Sequence, residues 1–196
     1  MEKSKLIIIE GPQGVGKSSL TTYLRETLPN CDLYRLSGIK DKTITGLEKS
    51  RKRFFSLLSY LKEQETVGLN EVFDRTFMSD FVYANLGYKE YDFTDTFYEL
   101  AKLLNDLNFD IHYFSLYLED VNQYKKRLQR DNHHTYQSFS LENSIDQQNE
   151  YMKVAKILER YPNIHVHKIP NDDFDSSYAK INEILGISKN AEKKKS

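Results

Sequence analysis

The sequence predicts an α/β domain built on a parallel five-stranded sheet with helices on both faces. Three observations predict it. Five short apolar runs alternate with stretches whose apolar residues recur every three or four positions, and strands separated by helices pair in parallel through crossovers. The first run passes directly into a glycine-rich turn that opens a helical pattern. The chain of 196 residues fits one domain and can bury a sizeable core.

"KLIIIE" is short, β-branched and stopped by Gly11 and Pro12, as a buried strand is. Leu20, Leu24 and Leu28 then mark a helix from Lys17, closed by "PN". "CDLYRL" is the second strand, ended by "SG". Phe54, Leu57, Leu58 and Leu61 fall at i, i+3, i+4 and i+7 in a long amphipathic helix over Thr45 to Glu65. "NEVFDR" is the third strand, followed by helices around Met78 to Asn85 and Asp95 to Leu107. "IHYFSLYL" is the fourth, leading to a helix from Asp120 to Arg130 and the polar "DNHHTYQS". A helix from Leu141 to Arg160 places Leu141, Ile145, Met152, Ala155 and Leu158 on one side. "NIHVHKI" is the fifth strand and Phe174 to Leu185 the closing helix. One domain over residues 1–188 and a disordered, charged end over 189–196 are expected.

Composition narrows the function. Charged residues make up 29% of the chain yet sum to a formal net charge of -1, so no global positive field draws it to nucleic acid. No stretch approaches the ~20 apolar residues that span a bilayer. Nor does "MEKSKLIIIEG" resemble a signal peptide. With Cys31 as the sole cysteine, read as a packing residue, this predicts a cytoplasmic address and no membrane partner.

Gly11-Pro12-Gln13-Gly14-Val15-Gly16-Lys17-Ser18 matches G-x-x-x-x-G-K-[ST], the P-loop. Its glycines turn backbone N–H groups onto phosphate oxygens at a helix N-terminus. Lys17 is expected to reach the outer phosphates of ATP and Ser18 to ligate Mg2+, with Ser19 continuing the helix beside them. In open parallel sheets ligands bind beyond the carboxyl ends of the strands, so the Asp74-Arg75 pair ending the third strand faces the same place. A carboxylate there suits magnesium-bound water, and an arginine suits a second phosphate. A simple surface ion pair is the other reading of the pair.

With these residues in place, the chain resembles the thymidylate kinase family within the nucleoside and nucleotide kinases. The resemblance runs from Lys5 to about Pro170 through "IIIEGPQGVGKSS", "YRLSG", "DRTFMSDFVYANLGY", "LYLE" and "KKRLQRD". It implies a P-loop NTPase fold with a lid over about 127–140, Mg-ATP as donor and a nucleoside monophosphate as acceptor. It further implies that Arg75 and Arg35 contact the acceptor phosphate and that Ser79 and Tyr83 lie beside its base and sugar. Arg53 corresponds to a base-contacting arginine, and Arg130, with Arg127, to lid arginines that stabilise charge in the transition state. Two departures are visible. Lys49 stands where the family carries a stacking aromatic, and neutral Gln13 where it commonly carries an acid. His133 and His134 have no partner pair for a metal site. Family members often dimerise through helices beside the sheet, so a homodimer is one expected partner state.

A nucleoside kinase needs a carboxylate to deprotonate its acceptor hydroxyl, and deoxynucleoside kinases carry one at the exit of the second strand. "YRLSG" offers Arg35 there. The expected activity is therefore a Mg-ATP-dependent kinase of a pyrimidine deoxynucleoside monophosphate such as dTMP. The alternatives are a deoxynucleoside kinase, a non-catalytic ATP or dNTP sensor, and, less favoured by charge, a polynucleotide 5′-kinase.

Overall fold

The computed structural model describes residues 3–130 and 140–187. Most of the expected lid segment, His133 and His134, and the charged end lie outside the described residues. The elements are β1 (Lys5–Glu10), α1 (Lys17–Thr27), β2 (Cys31–Arg35), α2 (Ile44–Gln64), β3 (Asn70–Asp74) and α3 (Phe77–Asn85). They continue as α4 (Thr94–Asn105), β4 (Asp110–Tyr117), α5 (Asn122–Arg130), α6 (Leu141–Leu158), β5 (Ile164–Pro170) and α7 (Phe174–Leu185). All five strands pair in parallel, in the order β2-β3-β1-β4-β5.

The unbroken apolar run of β1 is explained by burial on both faces. Leu6 and Ile8 join Phe73, Ile111 and Tyr113 in one core with Phe54, Leu58, Phe97 and Leu158 from the helices on that side. Ile7 and Ile9 join Val72, Phe114 and Leu116 in a second core with Leu20 and Leu24 of α1 and Ile181 and Leu185 of α7. Strands buried on both sides lose the alternation that marks a half-exposed sheet.

One helix presents a different face from the expected one. The buried residues of α6 are Ser144, Gln147, Tyr151, Val154, Ala155 and Leu158, whereas Leu141, Ile145 and Met152 are only partly covered. The second half of α6 lies on the apolar core, but its first half covers polar groups beside the glycine-rich turn, so hydrophobicity alone misassigns the phase there. Ser140 caps this helix by accepting from the Asn143 N–H at 3.0 Å.

Glu71 on β3 is fully buried, both its carboxyl oxygens lack hydrogen-bond partners, and it lies in register with Asp32 of β2. Burial, then the Asp32 charge, pushes its pKa up to about 7, against a smaller opposing effect of Tyr34. A carboxyl whose pKa is raised in the fold stabilises fully below its unfolded value of about 4.5, and that contribution is lost as pH rises through about 7. Glu71→Gln is accordingly expected to raise the melting temperature by roughly 3 °C or more at pH 8 and by much less at pH 5. Thermal denaturation at the two pH values checks this, and an equal gain at both would refute it.

Candidate active site

The turn after β1 is shaped by backbone that only glycine adopts without strain. Gly14 and Gly16 have φ of 78° and 100°. A Cβ on Gly16 would lie 2.6 Å from Asn171 Nδ2 and 2.9 Å from Phe174 Cε1. Val15 sits between them, fully buried. Its carbonyl accepts from Asn171 Nδ2 at 2.6 Å and Arg127 Nη1 at 3.2 Å, which fixes the turn from behind. Helix α1 begins at Lys17 with no side-chain cap and no acidic residue in its first turn. Its N-terminal N–H groups and partial positive charge are thus left without a capping or neutralising side chain, an arrangement suited to an anion.

Lys17 is buried and its ammonium donates to the Pro12 carbonyl at 2.7 Å, folding it back over the turn. Burial and then the Arg75 charge lower its pKa to about 7, partly offset by Asp74 and Glu10. Ser18 Oγ donates to Asp74 Oδ2 at 2.7 Å, joining the start of α1 to the end of β3. The pair offers hard oxygen donors of the kind a magnesium ion takes. Ser19 is exposed on α1. Gln13 donates its backbone N–H to Gln147 Oε1 at 3.2 Å, while its own Oε1 and the Gln147 Nε2 are buried without partners.

Beside this turn lies a connected polar cluster. Arg75 adopts φ of 74°, left-handed backbone rare for a side-chain-bearing residue, and its N–H donates to the Ile9 carbonyl. That geometry aims the guanidinium across α3 and α6. Arg75 Nη1 donates to Ser79 Oγ at 3.0 Å and to the Tyr151 hydroxyl at 2.9 Å. Tyr83 presents its ring 5.8 Å from the guanidinium carbon. Glu10, fully buried at the end of β1, accepts from the Thr76 N–H at 2.6 Å, the Thr76 hydroxyl at 3.0 Å and the Ser79 hydroxyl at 2.7 Å. Three donors on one carboxylate mark it as a structural anchor rather than a base turned toward a ligand.

The structure therefore brings Gln13, Lys17, Ser18, Asp74, Arg75, Ser79 and Tyr83 to one end of the sheet. Other expected residues go elsewhere. Arg35 is exposed and donates to Thr22 Oγ1 on α1 at 2.6 Å. Arg53 donates to the Ser37 carbonyl at 2.6 Å, closing α2 over the segment after β2. Arg127 is tied to Val15, Gln123, Asn171 and Asp172 and lies 4.9 Å from the Phe174 ring, so it braces the turn. Arg130 is the last residue of α5.

Sequence reasoning missed Tyr151 and Gln147 on α6 and Asp80 on α3. Asp80 is buried and accepts from Ser50 Oγ, and its other oxygen has no partner. Burial raises its pKa, opposed by Ser50, Lys89 and Arg53. The available signal was a polar residue where a helix pattern calls for an apolar one, as at Ser144, Gln147 and Tyr151.

A scan against protein-family models found no match, and a search of curated proteins returned none. Solved structures do match over nearly the whole chain. The YorR protein of Bacillus subtilis, in complex with phosphorylated GDP, is 20% identical with a TM-score of 0.66, over 92% of this chain and 95% of that one. Thymidylate kinase from Candida albicans is 15% identical with a TM-score of 0.62, over 96% and 94%. Deoxyadenosine kinase from M. mycoides, with bound dCTP, is 17% identical with a TM-score of 0.59, over 92% and 98%. The chain shares the fold of these proteins, two of them nucleotide or nucleoside kinases: five parallel strands with helices on both faces. Among the described residues no helix is long and apolar enough to cross a membrane.

Proposed function

We propose that the protein is a Mg-ATP-dependent nucleoside monophosphate kinase whose acceptor is a deoxynucleotide, with a pyrimidine such as dTMP as the first candidate. The observation that carries this reading is the position of partly buried Arg75 beside the glycine-rich turn, held by side chains of α3 and α6. Two anion-binding features lie side by side: the uncapped start of α1 for the donor and the Arg75 guanidinium for an acceptor that already carries charge. A monophosphate oxygen needs clamping, not deprotonation, and the nearby Glu10 is occupied by three donors.

In this mechanism Lys17 leaves the Pro12 carbonyl for the donor phosphates, and the turn's N–H groups hold their oxygens. Ser18 and Asp74 would hold the magnesium ion, which when bound supplies charge neutralisation at the phosphates. Arg75 holds the acceptor phosphate in line, with Ser79 and Tyr83 beside the sugar and base. Arg130 at the end of α5 supplies further positive charge. Arg35 and Arg53 would join the acceptor only after leaving Thr22 and Ser37. Positioning and electrostatics do the work, with no covalent intermediate.

A second reading concerns the base. The partnerless oxygen of Asp80, with Gly38 close enough that a Cβ there would stand 3.4 Å from it, favours an acceptor base offering an amino donor. The test is ADP release from Mg-ATP against dTMP, dCMP, dAMP and dGMP, the matching nucleosides and a 5′-hydroxyl oligonucleotide. Stimulation by a monophosphate supports the reading, and the best one names the base. Stimulation by nucleosides alone would replace it with a nucleoside kinase. Tight ATP binding without any acceptor response would replace it with a nucleotide sensor.

A further inference from the structure

We infer that Tyr151 is the positioning residue that makes Arg75 a phosphate clamp, so that discrimination between a monophosphate and a nucleoside is set from helix α6. The inference rests on the monophosphate reading above and adds a residue outside the P-loop and the Asp74-Arg75 strand end.

The placement of the protons sets the direction of each bond. The Ser79 hydroxyl has one proton, directed to Glu10 Oε2 at 2.7 Å. Its contact of 2.7 Å with the Tyr151 hydroxyl is therefore filled by the tyrosine proton. Tyr151 in turn accepts from Arg75 Nη1 at 2.9 Å. The result is one directional chain: Arg75 to Tyr151 to Ser79 to Glu10. Burial holds the tyrosine neutral, its pKa raised well above the ordinary value, so it keeps the proton the chain requires. Tyr151 is fully buried within the first core, so its hydroxyl has a fixed place.

Each member fixes the next. Arg75 is long and flexible, and with Nη1 engaged by both hydroxyls its rotation is restricted while its remaining N–H groups stay available as donors. Removing the tyrosine hydroxyl deletes one of the two Nη1 acceptors and the donor to Ser79 together. Ser79 is then the one hydroxyl left on Nη1, with the Tyr83 ring facing the guanidinium. A nucleoside carries no charge for Arg75 to bind, so its affinity is indifferent to that restraint. Because α6 also contacts the turn through Gln147 and Gln13, one helix braces both phosphate sites.

The experiment is calorimetric titration of the full chain with dTMP, dCMP, dAMP, dGMP, the matching nucleosides and Mg-ADP. It uses wild type, Tyr151→Phe, Arg75→Ala and the double variant. Phenylalanine keeps the ring in the core, and unchanged Mg-ADP affinity reports an intact fold. The expected result is a loss of about tenfold or more in monophosphate affinity for Tyr151→Phe, with nucleoside affinity unchanged. In the Arg75→Ala background Tyr151→Phe should add nothing, because the residue acts through Arg75. Equal monophosphate affinity in wild type and Tyr151→Phe would overturn the positioning role while leaving the monophosphate reading intact. Equal losses for nucleosides and monophosphates would assign Tyr151 to packing and overturn it too. A wild type that binds nucleosides but none of the four monophosphates would overturn the underlying reading and the inference with it.

Discussion

Lys17→Met is expected to lower kcat/KM for phosphoryl transfer by about 10³-fold or more while leaving the helical circular dichroism signal unchanged. Its ammonium is the cation that the glycine-rich turn's own sequence carries, buried and resting on the Pro12 carbonyl. Methionine fills similar volume in that space, so packing survives while the charge on the donor phosphates is lost. The same lysine predicts a pH dependence. With a pKa lowered to about 7 in the free protein by burial and then by Arg75, it is charged below that value and increasingly neutral above it. A bound phosphate favours the charged form, so above pH 7 nucleotide binding must take up a proton. The Kd for Mg-ADP is expected to rise by up to about tenfold per pH unit above 7 in wild type. Flat behaviour from pH 6.5 to 8.5 would show that Lys17 stays charged in the free protein, and near-normal turnover in the variant would remove it from the donor site.

Arg75→Ala is expected to cost about 10²-fold or more in kcat/KM with the best monophosphate, with Mg-ADP affinity kept within a few-fold. The residue is held by two hydroxyls and faced by Tyr83, and it directly follows a strand whose neighbour leads into the turn. Its positive φ gives a control for stability. Arg75→Gly relaxes the left-handed backbone that alanine would strain by about 1 kcal/mol. The glycine variant should melt above the alanine variant yet be equally impaired in turnover. If activity instead tracked melting temperature across the pair, the defect would be one of folding and Arg75 would not be an acceptor clamp.

The identity of the base is the point at which sequence and structure pull apart most. Lys49 in place of a stacking aromatic carries no base-stacking surface, and its ammonium pairs with Asp41 at 2.8 Å. Asp80 was hidden because a buried acid in a helix looks, in sequence, like one of many surface carboxylates. Only its environment, with Ser50 as partner and one free oxygen, sets it apart.

Local features were legible in the amino-acid sequence. The glycine-rich turn, the strand before it and the helix after it form a contiguous stretch from Lys5 to Thr27. There, positive φ values, missing caps and apolar runs are properties of neighbouring residues. The alternation that produced five parallel strands is equally a chain-local pattern. Tertiary structure alone decided the pairings across the chain: Ser18 with Asp74, 56 positions apart, and Arg75 with Tyr151, 76 apart. It also turned α6 so that Ser144, Gln147 and Tyr151 face inward, and sent Arg35 to Thr22 and Arg127 to the back of the turn. Reach explains the difference. Backbone conformation is chosen over a few bonds, whereas a long side chain has several acceptors within range, and its partner is chosen only when packing brings one of them near.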